Sequence, residues 1–255
     1  MNKNERLGEI NISNEGYKMK IIKYNKYSDI VIEFQDKHKA KVHTEYKHFK
    51  KGQVKNPYHP SVYDVGYIGQ GKYKVSVNRK QTKVYEHWRD MIKRCYDPYD
   101  LNKHPAYIDI YVCDEWLCFQ NFAKWFYKNY YEIEGEKMQL DKDILVKNNK
   151  IYSPNTCVFV PQRINSLFVK QQRTRGEYPI GVSPHKSTNK LQVNCNTLEK
   201  YEYLGLFPLN KPFQAFMVYK NFKENYIKQV ADEYKDLIPQ KLYEALYKYE
   251  VGIND

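Results

Sequence analysis

Five side chains between Leu140 and Asn165, in the segment LDKDILVKNNKIYSPNTCVFVPQRIN, have the types and spacing to do chemistry. Asp141 and Asp143 flank Lys142, Asn155 follows Ser153-Pro154, and Asn165 lies 24 residues beyond Asp141. Aspartate and asparagine offer hard oxygen ligands that suit magnesium. An ion held that way can bind a phosphate oxygen and stabilise a leaving oxygen, while a nearby base activates water. Lys142 stands where such a base would be. A lysine acts as a base only where burial or neighbouring cations lower its pKa. The flanking aspartates act in the opposite sense, and a protonated Lys142 would instead hold a phosphate or steady a transition state. The plainer alternatives are that Asp141 and Asp143 are solvated turn residues, that Asn155 caps its turn, and that Asn165 caps a helix.

The surrounding pattern supplies elements to position these groups. "NNK" and "SPN" are turn formers, "TCVFV" reads as a strand, and a helix is expected from about Pro161 to Gln172 with Ile164, Leu167 and Phe168 inward. A hairpin running into a helix would place Asp141 and Asn165 on one side of a ββα unit. Upstream, Trp88, Met91, Ile92 and Cys95 repeat at helical spacing and stop at Asp97-Pro98. "YIDIYVC" reads as a strand, and Trp116, Phe119, Phe122, Ala123 and Phe126 mark a second amphipathic helix.

Residues 17–49 read as short strands, "AKVHTEYKHF" included, and Gly and Pro then punctuate residues 52–71. Residues 178–206 return to strands, Pro212 opens a helix, and Pro239 breaks a helical tail. The expected class is α+β. Its parts are a small barrel-like β module at 1–57, a linker and hairpin at 58–80, the ββα segment at 81–172, a strand-and-helix module at 173–236, and an acidic helical tail at 237–255.

Charge is distributed unevenly along the chain. The whole carries +12; residues 1–80 hold 17 Lys and Arg against 8 Asp and Glu, and residues 81–170 hold 13 against 12. Residues 171–230 carry 9 against 4, and the last 25 carry 3 against 6. Two basic flanks around a balanced centre favour a polyanionic partner. The five cysteines, an odd number without a secretory pattern, point to a reducing compartment and away from a disulfide framework. Zinc is not favoured, because Cys95, His104, Cys113 and Cys118 lack a C-x2-C pair. His38, His43 and His48 recur every five residues without carboxylate or thiol partners and read as polar surface. No apolar run is long enough for a membrane span.

The segment Tyr85 to Gln172, with "WRDMIKRCYDP", "YIDIYVCDEW", "FQNFAKWF" and "LDKDILVKNNKIYSPNTCVFVPQRIN", resembles the ββα-metal (HNH) endonucleases of phages, particularly the homing type. The resemblance implies that Asp141 and Asn165 ligate magnesium or another divalent cation. It also implies that Asn155, Asp143 and Lys142 form the catalytic group, with Lys142 replacing the usual histidine. "IGV", "YLGLF" and "AFMVYKNFKE" resemble the three-strand-plus-helix DNA-binding module of the ethylene-response-factor type, without its usual tryptophan. That likeness implies a sheet in the major groove of duplex DNA. Arg163, Arg173, Arg175, His185, Lys186, Lys190, Gln192, Asn194 and Lys200 are the candidate contacts. The basic N-terminal module is similar to β-barrel units at the front of such phage proteins, where it would touch phosphates.

The function so implied is metal-dependent nicking or cleavage of DNA by a phage-encoded protein in the cytoplasm of a bacterial host. The alternative from a different class is a catalytically degenerate binder that regulates or inhibits a host defence protein.

Overall fold

The computed structural model describes residues 6–168, 177–253 and 255, and the chain is mixed α+β. It divides into two units, Met1–Lys128 with Ile151–Ser153, and Asn129–Lys150 with Pro154–Asp255. The division runs through the 81–172 segment.

The first unit opens with strands β1 (Ile10–Ile12), β2 (Lys18–Lys26), β3 (Asp29–Phe34) and β4 (Lys41–Thr44), ordered β1-β2-β3-β4 and antiparallel throughout. Alternation builds the sheet: Met19 and Ile21 point inward against Phe34 and Ile32, while Lys18 and Lys20 point out. The sheet stays open, so the expected barrel is corrected. Four strands are too few to enclose a filled interior. Helix α1 (Tyr46–Lys50) follows β4 where a continued strand pattern was expected, and Phe49 joins the core on the inner face.

A two-residue hairpin, β5 (Ser76–Val77) and β6 (Lys80–Gln81), leads to α2 (Lys83–Tyr96). The Thr82 hydroxyl caps α2 by accepting from the Tyr85 amide. Trp88, Met91, Ile92 and Cys95 are all buried along one face, as their spacing predicts. Asp97 ends α2 and caps α3 (Pro98–Lys103). "YIDIYVC" yields only a two-residue strand, β7 (Tyr111–Val112), because Pro105–Tyr107 forms a 3-10 turn just before it. Helices α4 (Asp114–Leu117) and α5 (Phe119–Asn129) follow, and the Trp88 indole N–H donates to the Trp116 carbonyl at 2.7 Å.

In the second unit β8 (Met138–Asp141) pairs antiparallel with β10 (Val158–Pro161), and α6 (Gln162–Ser166) follows directly. Between them in sequence lies β9 (Ile151–Tyr152), which belongs to the first unit and pairs in parallel with β7. The expected helix to Gln172 is regular only over Gln162–Ser166 and turns at Leu167; residues 169–176 lie outside the described ones. A three-stranded sheet, β11 (Val182–Pro184), β12 (Lys190–Asn196) and β13 (Tyr201–Pro208), comes next, with α7 (Pro212–Glu233) and α8 (Gln240–Tyr247) after it.

Helix α7 serves two cores. Its first half supplies Ala215, Phe216 and Tyr219 against Val182, Leu191 and Val193 of the sheet. Its second half supplies Ile227, Val230 and Ala231, which join Leu242 and Leu246 of α8 against Val158, Val160 and Ile164 of the ββα hairpin and helix. A 22-residue helix spans about 33 Å. The three-stranded sheet and the ββα elements are thus held by one rod.

Candidate functional site in the ββα elements and the adjoining sheet

Strand alternation decides where the Asp141 segment points. Met138, Leu140 and Lys142 take the inward face, and Gln139 and Asp141 take the other. Asn165 of α6 donates its amide to Gln139 Oε1 at 2.6 Å. Asn165 thus meets the strand at Gln139, which alternates with Asp141 on the same side of β8.

The Asp141 carboxylate organises the turn after β8. Its Oδ1 accepts from the amides of Asp143 and Ile144, both at 2.7 Å. Burial pushes its pKa above the ordinary aspartate value, while these two amides and Lys142 pull against that shift. A cation ligand beside it would favour the charged form.

Lys142 is not poised over this face. It is 6% exposed, and its ammonium donates to Asp143 Oδ2 at 2.7 Å and to the Asn149 carbonyl at 2.8 Å. The Asn149 amide returns a bond to the Lys142 carbonyl at 3.0 Å. The expected base is thus a brace across the 142–149 loop, because continued alternation turns it inward beside Leu140. Asp143 spends one oxygen on the same brace. Asn155 is exposed in the turn 154–156.

Two residues of this neighbourhood carried no sequence signal. Lys147 donates to the Glu250 carbonyl at 2.7 Å and pairs with Asp255. Tyr249 packs edge-on against Phe168 at 4.7 Å. Burial, with the carboxylates of Asp255, Asp143 and Asp141, raises its hydroxyl pKa. The tail after α8 therefore lies beside the Asp141 turn. Only contacts distant in sequence place it there.

Among the described residues no group of three or more His, Cys, Asp or Glu side chains converges as a metal centre. The donor set at the ββα face is smaller: the second oxygen of Asp141 and the amide oxygen of Asn165, whose nitrogen is engaged by Gln139. Magnesium is commonly held by one or two protein oxygens, the rest of its shell being water and substrate phosphate. The residue types, an aspartate and an asparagine, suit that mode and do not suit structural zinc.

The uncovered face of the β11-β12-β13 sheet presents Ser183, Lys190, Gln192, Asn194, Asn196, Tyr201 and Tyr203 by alternation. Register aligns Ser183 with Gln192, Asn194 with Tyr203, and Asn196 with Tyr201. The Gln192 amide donates to Ser183 Oγ at 3.2 Å. Tyr201 and Tyr203 are 63% and 57% exposed. They were not among the sequence candidates, although the alternation in "KYEYLGLF" carries their outward direction.

The remaining candidates scatter. Lys186 is exposed on the β11-β12 turn, where His185 bonds Thr188. Lys200 pairs with Glu202 at 2.9 Å, and Arg163 with Glu199 at 2.8 Å. Arg173 and Arg175 lie outside the described residues.

No family model, curated protein or solved structure matches the chain. No helix among the described residues is long and apolar enough to cross a membrane.

Proposed function

We propose that the chain is a duplex-DNA-binding protein that uses the amide-and-tyrosine face of the β11-β12-β13 sheet to read DNA. Its ββα elements meet the phosphate backbone through a divalent cation held by Asp141 and Asn165, and Lys142 is not a base there. The observation that carries this reading is the buried Lys142 brace, which supports binding over hydrolysis. Amide side chains can pair with adenine edges in the major groove, and a two- or three-stranded ribbon fits that groove. A bound magnesium would supply charge neutralisation at a phosphate oxygen. Asp143 and Asn149 keep Lys142 turned into the loop, and Gln139 orients the Asn165 amide.

A second reading, a cleaving endonuclease, is supported by the contact of Asn165 with Gln139, on the Asp141 side of β8. It requires a base other than Lys142 as it stands. Fluorescence anisotropy on labelled duplexes tests the first reading. Gln192→Ala and Tyr203→Ala are each expected to weaken binding to a selected site by about 1–3 kcal/mol. Binding unaltered by either change, with fold intact, removes the sheet face from the account. Nicking of plasmid switched on by Lys142→His would favour the second reading.

A further inference from the structure

The N-terminal sheet carries a separate surface with its own chemistry. Its inner face is the apolar core around Met19, Ile21, Ile32 and Phe34. Its outer face carries Lys18, Lys20, Lys23 and Lys26 of β2, with Lys41 and His43 of β4. The pairing fixes this arrangement. Lys20 stands opposite Glu33, which stands opposite Lys41; Lys23 stands opposite Val31, which stands opposite His43.

A β-bulge between Ile21 and Lys23 shifts the register by one residue. Without it, simple alternation from Lys18 and Lys20 would send Ile22 outward and Lys23 into the core. A second shift between Tyr24 and Lys26 returns Lys26 to the outer face opposite Asp29, so the two bulges together keep the lysine row on one face. All five lysines are exposed.

Three lysines elsewhere in the unit have carboxylate partners. Lys47 pairs with Glu45 at 2.8 Å, Lys50 with Glu9 at 3.2 Å, and Lys93 with Asp100 at 3.1 Å. Among the described residues, no ion pair joins Lys18, Lys20, Lys23, Lys26 or Lys41 to a carboxylate. Two acids share this face: Glu33 stands between Lys20 and Lys41, and Asp29 lies 3.9 Å from the His43 ring nitrogen. Asp29 accepts from Asn25 at 2.7 Å, and Glu33 accepts from Gln35 at 3.2 Å.

Same-face residues along a strand repeat about every 7 Å, and strands lie about 5 Å apart. The result is a face of five lysines and two carboxylates with a net positive charge, which complements a regular array of monoanions. We infer that the outer face of the β1-β2-β3-β4 sheet is a phosphate-backbone site for nucleic acid, binding without reading bases. It stands on this lysine lattice alone and does not rest on the function proposed for the ββα elements or the C-terminal sheet. Phosphate contacts of this kind supply affinity and a steep salt dependence, with no sequence preference.

The test compares the full chain with a Lys18→Gln/Lys20→Gln/Lys23→Gln/Lys41→Gln variant. Affinity for a random-sequence DNA duplex, and for an RNA duplex of the same length, is measured between 50 and 200 mM salt. A Lys47→Gln/Lys50→Gln variant removes charge from the same unit away from this face, and thermal melts confirm that each variant folds.

The inference predicts that the slope of log affinity against log salt flattens by about 3–4 in the quadruple variant. It also predicts an affinity loss of at least about tenfold at 150 mM salt, with less than about a twofold loss in the double variant. Loss with one duplex and not the other names the nucleic acid that this face takes. An unchanged slope in the quadruple variant overturns the inference, as does an equal loss per charge in the control. So does lysine-dependent binding to phosphatidylserine vesicles without binding to either duplex.

Discussion

Lys142 carries the largest consequence of any single residue. Its stem lies with Leu140 on the buried side of β8, and its charge spans the loop to Asn149. Lys142→Ala is expected to cost about 1.5–3 kcal/mol, from the lost charged hydrogen bond and the carbonyl left behind. A urea melt measures this, and a cost near zero would mean that the brace does not form in solution. Lys223 makes the opposite case. It is 8% exposed beside Cys195 in the sheet core, and burial lowers its pKa below that of an ordinary lysine. Between that lowered value and the ordinary one, the unfolded chain binds more protons than the folded one, so stability rises with pH across this window. Lys223→Met is expected to raise Tm at neutral pH and to erase that part of the rise. A Tm series from pH 7 to 10 checks both, and a lower Tm at pH 7 would contradict the account.

At the scale of elements, periodicity made the framework legible. The spacing of Trp88, Met91, Ile92 and Cys95 marked α2, and the turn formers between Leu140 and Asn165 marked the β8-β10 pair that leads into α6. What escaped was set by contacts far apart in sequence. The open N-terminal sheet, the helix α1 in place of more strand, and the tail that sets Tyr249 beside the Asp141 turn have no local signature. Nor did alternation past Asp141 suffice to show Lys142 as a brace, since its partner carbonyl sits seven residues on. Gly181 gives an element-scale prediction. Its φ is +77°, and a Cβ there would come 2.0 Å from the Tyr219 ring on α7. Gly181→Ala is expected to destabilise the sheet-on-helix packing by roughly 1–3 kcal/mol through backbone strain and overpacking. Hydrogen exchange of β11 and β12 amides is the readout; protection equal to that of the unaltered chain would show that Tyr219 moves aside freely.

The whole molecule carries surfaces of two kinds on one chain. The first unit offers a lattice of lysines suited to any phosphate backbone. The second offers amides and tyrosines suited to reading, tied by α7 to the ββα elements that carry Asp141 and Asn165. Were both proposed surfaces to bind one polyanion, the second contact would be intramolecular, so modest sites would yield tight binding. The charge distribution, basic at the start and acidic after residue 230, was plain in the composition. Its arrangement into a face needed the strand register and the two bulges of β2. The central claim is that the protein binds DNA through these surfaces while Lys142 braces a loop and cuts nothing. Incubating supercoiled plasmid with the full chain, or with Asp141→Ala, in magnesium tests it in one gel. The account predicts retarded but intact plasmid with both proteins, and weaker retardation by Asp141→Ala. Nicked plasmid with the unaltered chain and intact plasmid with Asp141→Ala would contradict it.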